Sequence, residues 1–219
     1  MRIFMKNSDA QTIAEEIANS ITHGLGIIFA IVALVAMLLG AMHVGSVRAE
    51  VSVSIFGGAL ILLYCSSTLY HAVWHLKAKK ILQMLDHMMI YILIAGTYTP
   101  FTLVGLGGSW GWSLFGVVWG LALMGIVFKL FCTGRFEKLS VAIYLGMGWL
   151  AVVAIKPFLH VIPTAGLLWI VAGGLCYTFG IVFYAYDRIR YAHTVWHLFV
   201  LAGSLCHVTA ILFYLLPKK

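Results

Sequence analysis

Seven apolar runs bounded by charged residues, proline or glycine clusters take up most of the chain. They extend approximately from Ile21 to Met42, Val51 to Trp74, Leu82 to Val104, Trp110 to Leu130, Leu139 to Ile155, Thr164 to Tyr186, and Ala192 to Leu216. About 20 apolar residues in a helix cross the hydrocarbon core of a bilayer, so each run reads as a transmembrane helix. The fold class expected is all-α, a polytopic membrane protein built as a seven-transmembrane-helix bundle. One membrane domain covers residues 1–219, with 1–20 a short cytoplasmic segment leading into span one. The fifth run is the shortest, and Lys156-Pro157 interrupts it before Phe158 to Ile162. A break or tilted end is expected there, because proline removes a helical hydrogen bond.

Composition agrees with this reading. Charged residues make up 10% of the 219 and hydrophobic ones 63%, where a soluble domain carries about a quarter charged. That excludes a cytosolic enzyme, a nucleic-acid module and a disordered chain. Seven crossings leave almost no extramembrane domain, so the function sits within the bilayer or at its edge. The formal net charge is +7, but the basic residues are scattered over short loops rather than gathered on one face, and no nucleic-acid partner is implied. The first apolar run is too long for a signal peptide and lacks a convincing cleavage site. Cys65, Cys132, Cys176 and Cys206 lie in apolar stretches without C-x-x-C spacing, which suits buried inert thiols.

Short cytoplasmic loops hold the excess of Lys and Arg. With the N-terminus inside, that side holds Arg2, Lys6, Lys77, Lys79, Lys80, Lys129, Arg135, Lys138, Arg188 and Arg190, against Arg48, Lys156, Lys218 and Lys219 on the other. Ten against four places the N-terminus in the cytoplasm and the C-terminus on the opposite side. The tryptophans and tyrosines near span ends fit an aromatic belt. Gly57-Gly58 and Gly173-Gly174 suit close helix approach.

Ionisable groups within a membrane are costly and point to function. Here they share one side. Span one enters with Glu16, Asn19, Ser20 and His23 along one helical face, span two arrives with Ser67 and His71, span three leaves with Asp86 and His87, and span seven leaves with His193 and His197. Four apart, His193 and His197 project from one helix face and offer a metal two neutral nitrogens. A third protein ligand leaves a position for water, the composition of a catalytic zinc site. His71 is the natural third, and by spacing alone His75 can replace it, although His75 sits further out beside Lys77. A carboxylate at Asp86 is placed to orient His71, to hold the metal's water, or to take its proton. The competing account is a structural network in which polar groups of packed helices satisfy one another. Glu16, Asn19, His23 and His87 read as cavity-wall or supporting residues. His207 is ten residues beyond His197, about 15 Å along the axis, and reads as a packing residue. His43 and His160 read as surface residues.

The motifs Glu16-Ile-Ala-Asn-Ser-Ile-Thr-His23, Ser66-Ser67-Thr-Leu-Tyr-His71, Asp86-His87 with Ala95-Gly-Thr-Tyr-Thr-Pro100, and His193-Thr-Val-Trp-His197 together resemble those of the bacterial haemolysin III-related proteins of the progestin and adipoQ receptor (PAQR) family. The resemblance covers nearly the whole chain. It implies a Zn2+ cofactor held by His71, His193 and His197, preferring His71 over His75, with Asp86 and Ser67 near its water. It also implies membrane lipids as partners, one of them a candidate substrate, and a place in the bacterial inner membrane. The long cytoplasmic segment of the adiponectin receptors has no counterpart, so receptor function does not carry over.

The leading expectation is an intramembrane zinc hydrolase of a lipid amide or ester serving membrane homeostasis, with Asp86 as the proton acceptor and Ser67 in support. The second is a non-enzymatic lipid-sensing or homeostasis protein with a structural metal. A pore former, suggested by the family's name, and a proton or ion pathway are weaker expectations.

Overall fold

The computed structural model describes residues 11–132, 136–185 and 189–216. Arg2, Lys6, Arg135, Arg188, Lys218 and Lys219, and the sixth run's expected end at Tyr186, lie outside them. The described residues contain helices and no strand: α1 (Ile13–Val44), α2 (Val47–Ala72), α3 (Leu76–Pro100), α4 (Gly108–Cys132), α5 (Glu137–Gly148), α6 (Ile155–Val161), α7 (Thr164–Ala185) and α8 (Ala192–Ala210). A π-helical segment, Phe101–Leu106, extends α3, and another, Ile211–Leu215, extends α8. With α5 and α6 counted as one crossing, seven segments are long and apolar enough to span a membrane.

The first helix begins well before its apolar run. Thr12 caps it and exchanges hydrogen bonds with Glu15 in a capping box, a pairing that satisfies donors otherwise orphaned at a helix start. Residues 13–20 are therefore the first two turns of span one rather than a segment leading to it. Its buried stripe is Glu16, Asn19, His23, Gly26, Ala30, Ala33, Met37 and Ala41, the three-and-four spacing of one helix face. Small residues on that stripe let α1 approach α2 closely, and Gly26 meets the ring of Tyr64. The main packing partners are α1 with α2, α2 with α3, and α7 with α8, while α8 returns to α1. Helices adjacent in sequence thus pack as neighbours, and α1 meets the last helix as well.

The fifth span is interrupted, but ahead of the proline. Helical hydrogen bonding lapses at Gly148, a 3-10 turn covers Leu150–Ala154, and α6 then begins at Ile155. The Tyr98 hydroxyl bridges the break: it donates to the Gly148 carbonyl at 2.8 Å and accepts from the Ala151 amide at 2.8 Å. Pro157 falls in the first turn of α6, where an amide has no helical acceptor in any case.

Of the paired glycines, Gly57 faces Leu34 and Gly173 faces the His207 ring, whereas Gly58 has open space beside it and Gly174 only ordinary contact with Trp149. A tighter site is Gly125 on α4, where an added Cβ would lie 2.2 Å from Tyr91 Cε1. Tyr91 is fully buried and cannot retreat to solvent. Gly125→Ala is expected to destabilise the bundle by about 1–3 kcal/mol, read as a lowered unfolding temperature in detergent. The four cysteines are free and partly buried.

Lys129, at the expected cytoplasmic end of the fourth apolar run, is not at the surface. Lys129 is fully buried in the last turn of α4 and pairs with Glu137 at 2.9 Å. Its charge is compensated inside the fold, as a buried ammonium requires.

Candidate metal centre

His71 lies in the last turn of α2, which ends one residue later at Ala72. The helix stops there, so His75 is not one turn further along the same face. It is the exposed N-cap of α3, and its Nδ1 accepts from the Ala78 amide at 3.4 Å. The hexapeptides His71-Ala-Val-Trp-His75-Leu76 and His193-Thr-Val-Trp-His197-Leu198, alike at five of six positions, therefore differ in structure: one runs out of a helix and the other runs along one.

His193 and His197 occupy the first two turns of α8, and His71 reaches them from α2. Its ring centre lies 5.1 Å from that of His193 and 5.0 Å from that of His197, which are 4.6 Å from each other. One nitrogen from each falls within 4.8 Å of the others, so the three residues can jointly hold a metal ion. His71 and His197 are buried, and His193 is half-buried.

The far sides of two of these rings are engaged. Glu16 Oε2 lies 2.7 Å from His71 Nδ1, leaving Nε2 buried with no hydrogen-bond partner. The His197 Nδ1–H donates to the Asn19 carbonyl at 3.3 Å, leaving Nε2 with the free lone pair. Metal-binding imidazoles typically have this arrangement, one nitrogen held by a carboxylate or carbonyl and the other facing the metal. An unpartnered buried nitrogen is otherwise destabilising by about 1–3 kcal/mol. The donor set and its supports suit a borderline-soft divalent ion such as zinc.

Span one supplies most of the support. The other Glu16 oxygen pairs with Lys79 at 2.9 Å, and Lys79 also donates to the Tyr70 carbonyl at 3.1 Å. Thr194 donates to Asn19 Oδ1 at 2.5 Å, and Asn19 Nδ2 donates to Gln11 Oε1 at 2.7 Å. Glu15 accepts from the amide of Tyr191 at 2.8 Å. Tyr191 caps α8 in the left-handed conformation, φ +59°, and thereby sets where the His193 turn begins. His23 stacks face to face on His197, centroids 3.5 Å apart, and meets the Tyr64 ring edge-on at 5.1 Å. It lines the cavity and is not one of the three clustered histidines.

Asp86 and Ser67 are buried, and Asp86 is not one of the three residues whose ligand atoms cluster together. Asp86 and Ser67 are neighbours without a closed hydrogen bond at the Ser67 hydroxyl. Both line an apolar cavity of about 210 Å³ whose wall also includes His23, His87, His193 and His197. Glu16, not Asp86, holds His71, and Asp86 lines the cavity. His87 lines the cavity too, with Nδ1 3.9 Å from Glu137 and its carbonyl accepting from the Tyr144 hydroxyl at 3.0 Å. His207 lies outside the cluster, and His43 and His160 are exposed.

The sequence reading did not single out Glu15, Lys79, Tyr191 and Thr194 as supports. Thr12-x-x-Glu15 is a legible capping box, but the bond Glu15 accepts from the Tyr191 amide, 176 positions away, leaves no local signal. Nothing in the spacing of Lys79 points to Glu16.

The sequence profile described as "Haemolysin-III related" matches residues 11–208. Over 186 residues the chain is 49% identical to the "Hemolysin-3 homolog" of Bacillus subtilis (strain 168), which covers 85% of this chain and 87% of that protein. It is 45% identical over 188 residues to the "Hemolysin-3" of Bacillus cereus, 86% of each. It is 30% identical over 193 residues to the "Monocyte to macrophage differentiation factor" of Homo sapiens, 85% of this chain and 79% of the relative. Seven membrane-length helices and these similarities make the chain a multi-pass membrane protein that belongs to the haemolysin-III related family.

Proposed function

We propose that this protein is an intramembrane zinc-dependent hydrolase of a lipid amide or ester, working near the cytoplasmic face of a bacterial inner membrane and serving membrane homeostasis. The observation that supports the reading is the meeting, on one apolar cavity, of His193 and His197, which cluster with His71, and a separate buried acidic residue, Asp86. A metal ion without a nearby carboxylate suits a structural site, whereas a free carboxylate facing the same cavity adds a group able to move protons.

His71, His193 and His197 would hold the zinc, which supplies a water of lowered pKa and a Lewis acid for the substrate carbonyl. Asp86 takes the proton of the attacking water and returns it to the leaving amine or alcohol. Ser67, on the adjoining helix, is the neighbouring hydroxyl that would support the Asp86 carboxyl as it gains and loses the proton. Glu16 and the Asn19 carbonyl fix the ring orientation of His71 and His197. The apolar wall contributed by α3, α5 and α7 accommodates the acyl chain and excludes bulk water, so a charge developing at the carbonyl is felt at low dielectric. The distribution of basic residues supports a reading with the N-terminus, and with it this site, at the cytoplasmic face.

The test combines metal analysis of purified protein with turnover of ceramides, phospholipids and acyl amides. One zinc per chain together with release of a fatty acid from one substrate class supports the reading. Zinc with no turnover across the panel would assign the metal a structural role and favour a non-enzymatic homeostasis protein. Absence of zinc would end the assignment of the site.

A further inference from the structure

Four tyrosines line the cavity: Tyr98, Tyr144, Tyr177 and Tyr184. Three of their hydroxyls are committed within the protein. Tyr98 donates to the Gly148 carbonyl at 2.8 Å, Tyr144 to the His87 carbonyl at 3.0 Å, and Tyr177 pairs with the Ser204 hydroxyl at 3.0 Å. Tyr184 differs. Among the described residues its hydroxyl has no hydrogen-bond partner, and it is not one of the polar atoms sealed within the fold. Tyr184 stands in the last turn of α7, a place in the span where a tyrosine usually serves the aromatic belt. In the fold it lines the cavity instead. Gly180, one turn earlier, lets α7 lie close to α8, since a Cβ there would be 2.7 Å from Trp196 Cε3. The Tyr184 ring then packs on α8, with its centroid 5.7 Å from that of Trp196 and 6.0 Å from that of His193. Asp86 is near enough to act on the phenol electrostatically. The uncommitted hydroxyl thus belongs to the end of the cavity where the histidine cluster and Asp86 meet.

Phenylalanine would pack on Trp196 and His193 equally well, so the packing gives no reason for the oxygen. A phenol is a neutral hydrogen-bond donor that keeps its proton at physiological pH. The carboxylate of Asp86 and imidazole nitrogens turned toward a metal are acceptors, and the phenol complements them. We infer that Tyr184 is a further catalytic residue, whose hydroxyl donates a hydrogen bond to the head-group oxygen of a bound acyl chain, the carbonyl of a substrate or the carboxylate of a fatty-acid product. No proton is transferred. The donor holds the oxygen in place and stabilises negative charge that develops on it, as preorganised donors do in acyl transfer. The inference rests on the reading of this cavity as an acyl-chain site and names the group that recognises the head of the chain.

The test uses purified protein in detergent and octadecanoate labelled with carbon-13 at its carboxyl carbon, with affinity and the isotope-edited infrared carboxylate band as readouts. Tyr184→Phe is expected to weaken binding by about 10–100-fold, the effect of one hydrogen bond to a charged group, and to shift the carboxylate band of the acid that remains bound. Metal content and unfolding temperature are expected to stay as they were. Tyr177→Phe, which deletes a hydroxyl already paired inside the fold, is expected to leave affinity within about twofold and the band in place. Unchanged affinity in Tyr184→Phe, an equal loss in both variants, or a loss without a shift of the band overturns the inference and leaves the acyl-chain reading intact. A loss accompanied by a lowered unfolding temperature also overturns it, because the hydroxyl would then serve the fold. Failure of the unaltered protein to bind the acid overturns the inference and the acyl-chain reading together.

Discussion

Asn in place of Asp86 is expected to leave the metal bound and to lower turnover by about 10²–10⁴-fold, the usual contribution of a positioned general acid or base. Ala in place of His193 is expected to remove metal and turnover together. The contrast follows from the geometry. His193 is one of three imidazoles whose nitrogens lie within 4.8 Å of one another, so its loss leaves two ligands, too few for a stable site in a membrane interior. Asp86 is outside that cluster and has Ser67 as its neighbour. Asn keeps its size but cannot accept and return a proton. Metal content by elemental analysis and initial rates on one acyl substrate check both arms. Loss of zinc in Asp86→Asn would make the carboxylate a ligand, and an unchanged rate would remove it from the chemistry.

The second large effect concerns a residue that touches no substrate. Glu16→Gln is expected to weaken metal affinity by about 10–100-fold, as loss of a carboxylate behind a ligating imidazole does elsewhere. The carboxylate lies 2.7 Å from His71 Nδ1 and 2.9 Å from the Lys79 ammonium. Through the first contact it fixes the ring and raises the basicity of the opposite nitrogen. Gln can still accept from Nδ1–H but brings no charge, and it leaves Lys79 without its ion-pair partner. A chelator-competition titration reads the affinity, and an unfolding curve on the same sample separates a weakened site from a loosened bundle. Unchanged affinity would show that Glu16 serves the packing of α1 on α2 and not the metal centre.

Much of the fold was readable because its main constraint is one-dimensional. A membrane helix is a matter of length and apolar content, so the apolar runs correspond to the seven membrane-length segments. The discrepancies come from interactions distant in sequence. Proline marked the fifth span as the place of a break, but proline is harmless in a first turn, and the lapse is at Gly148, where Tyr98 of a neighbouring helix supplies the hydrogen bonds the broken segment lacks. Lys129 entered the sequence reading only as one of the cytoplasmic-side cations, and its burial beside Glu137, eight residues on, is a tertiary feature.

The candidate site shows the same division. His193 and His197 share a face by helical periodicity alone. Choosing between His71 and His75 depends on where α2 ends, and four residues of sequence do not reveal that. The supports are less legible still. A carboxylate at Asp86 looked suited to orient His71, but Glu16 does so from a helix 55 positions away.

By itself the sequence determined the number of the spans and their approximate positions, and it offered the candidate ligands, because the hydrophobic cost of crossing a bilayer is counted residue by residue. Tertiary structure alone decided which imidazole nitrogens face one another, which carboxylate holds a ring and which faces the cavity. Those are distances between helices, set by small residues on buried stripes and by bonds such as Glu15 to Tyr191, and no periodicity within a single helix encodes them.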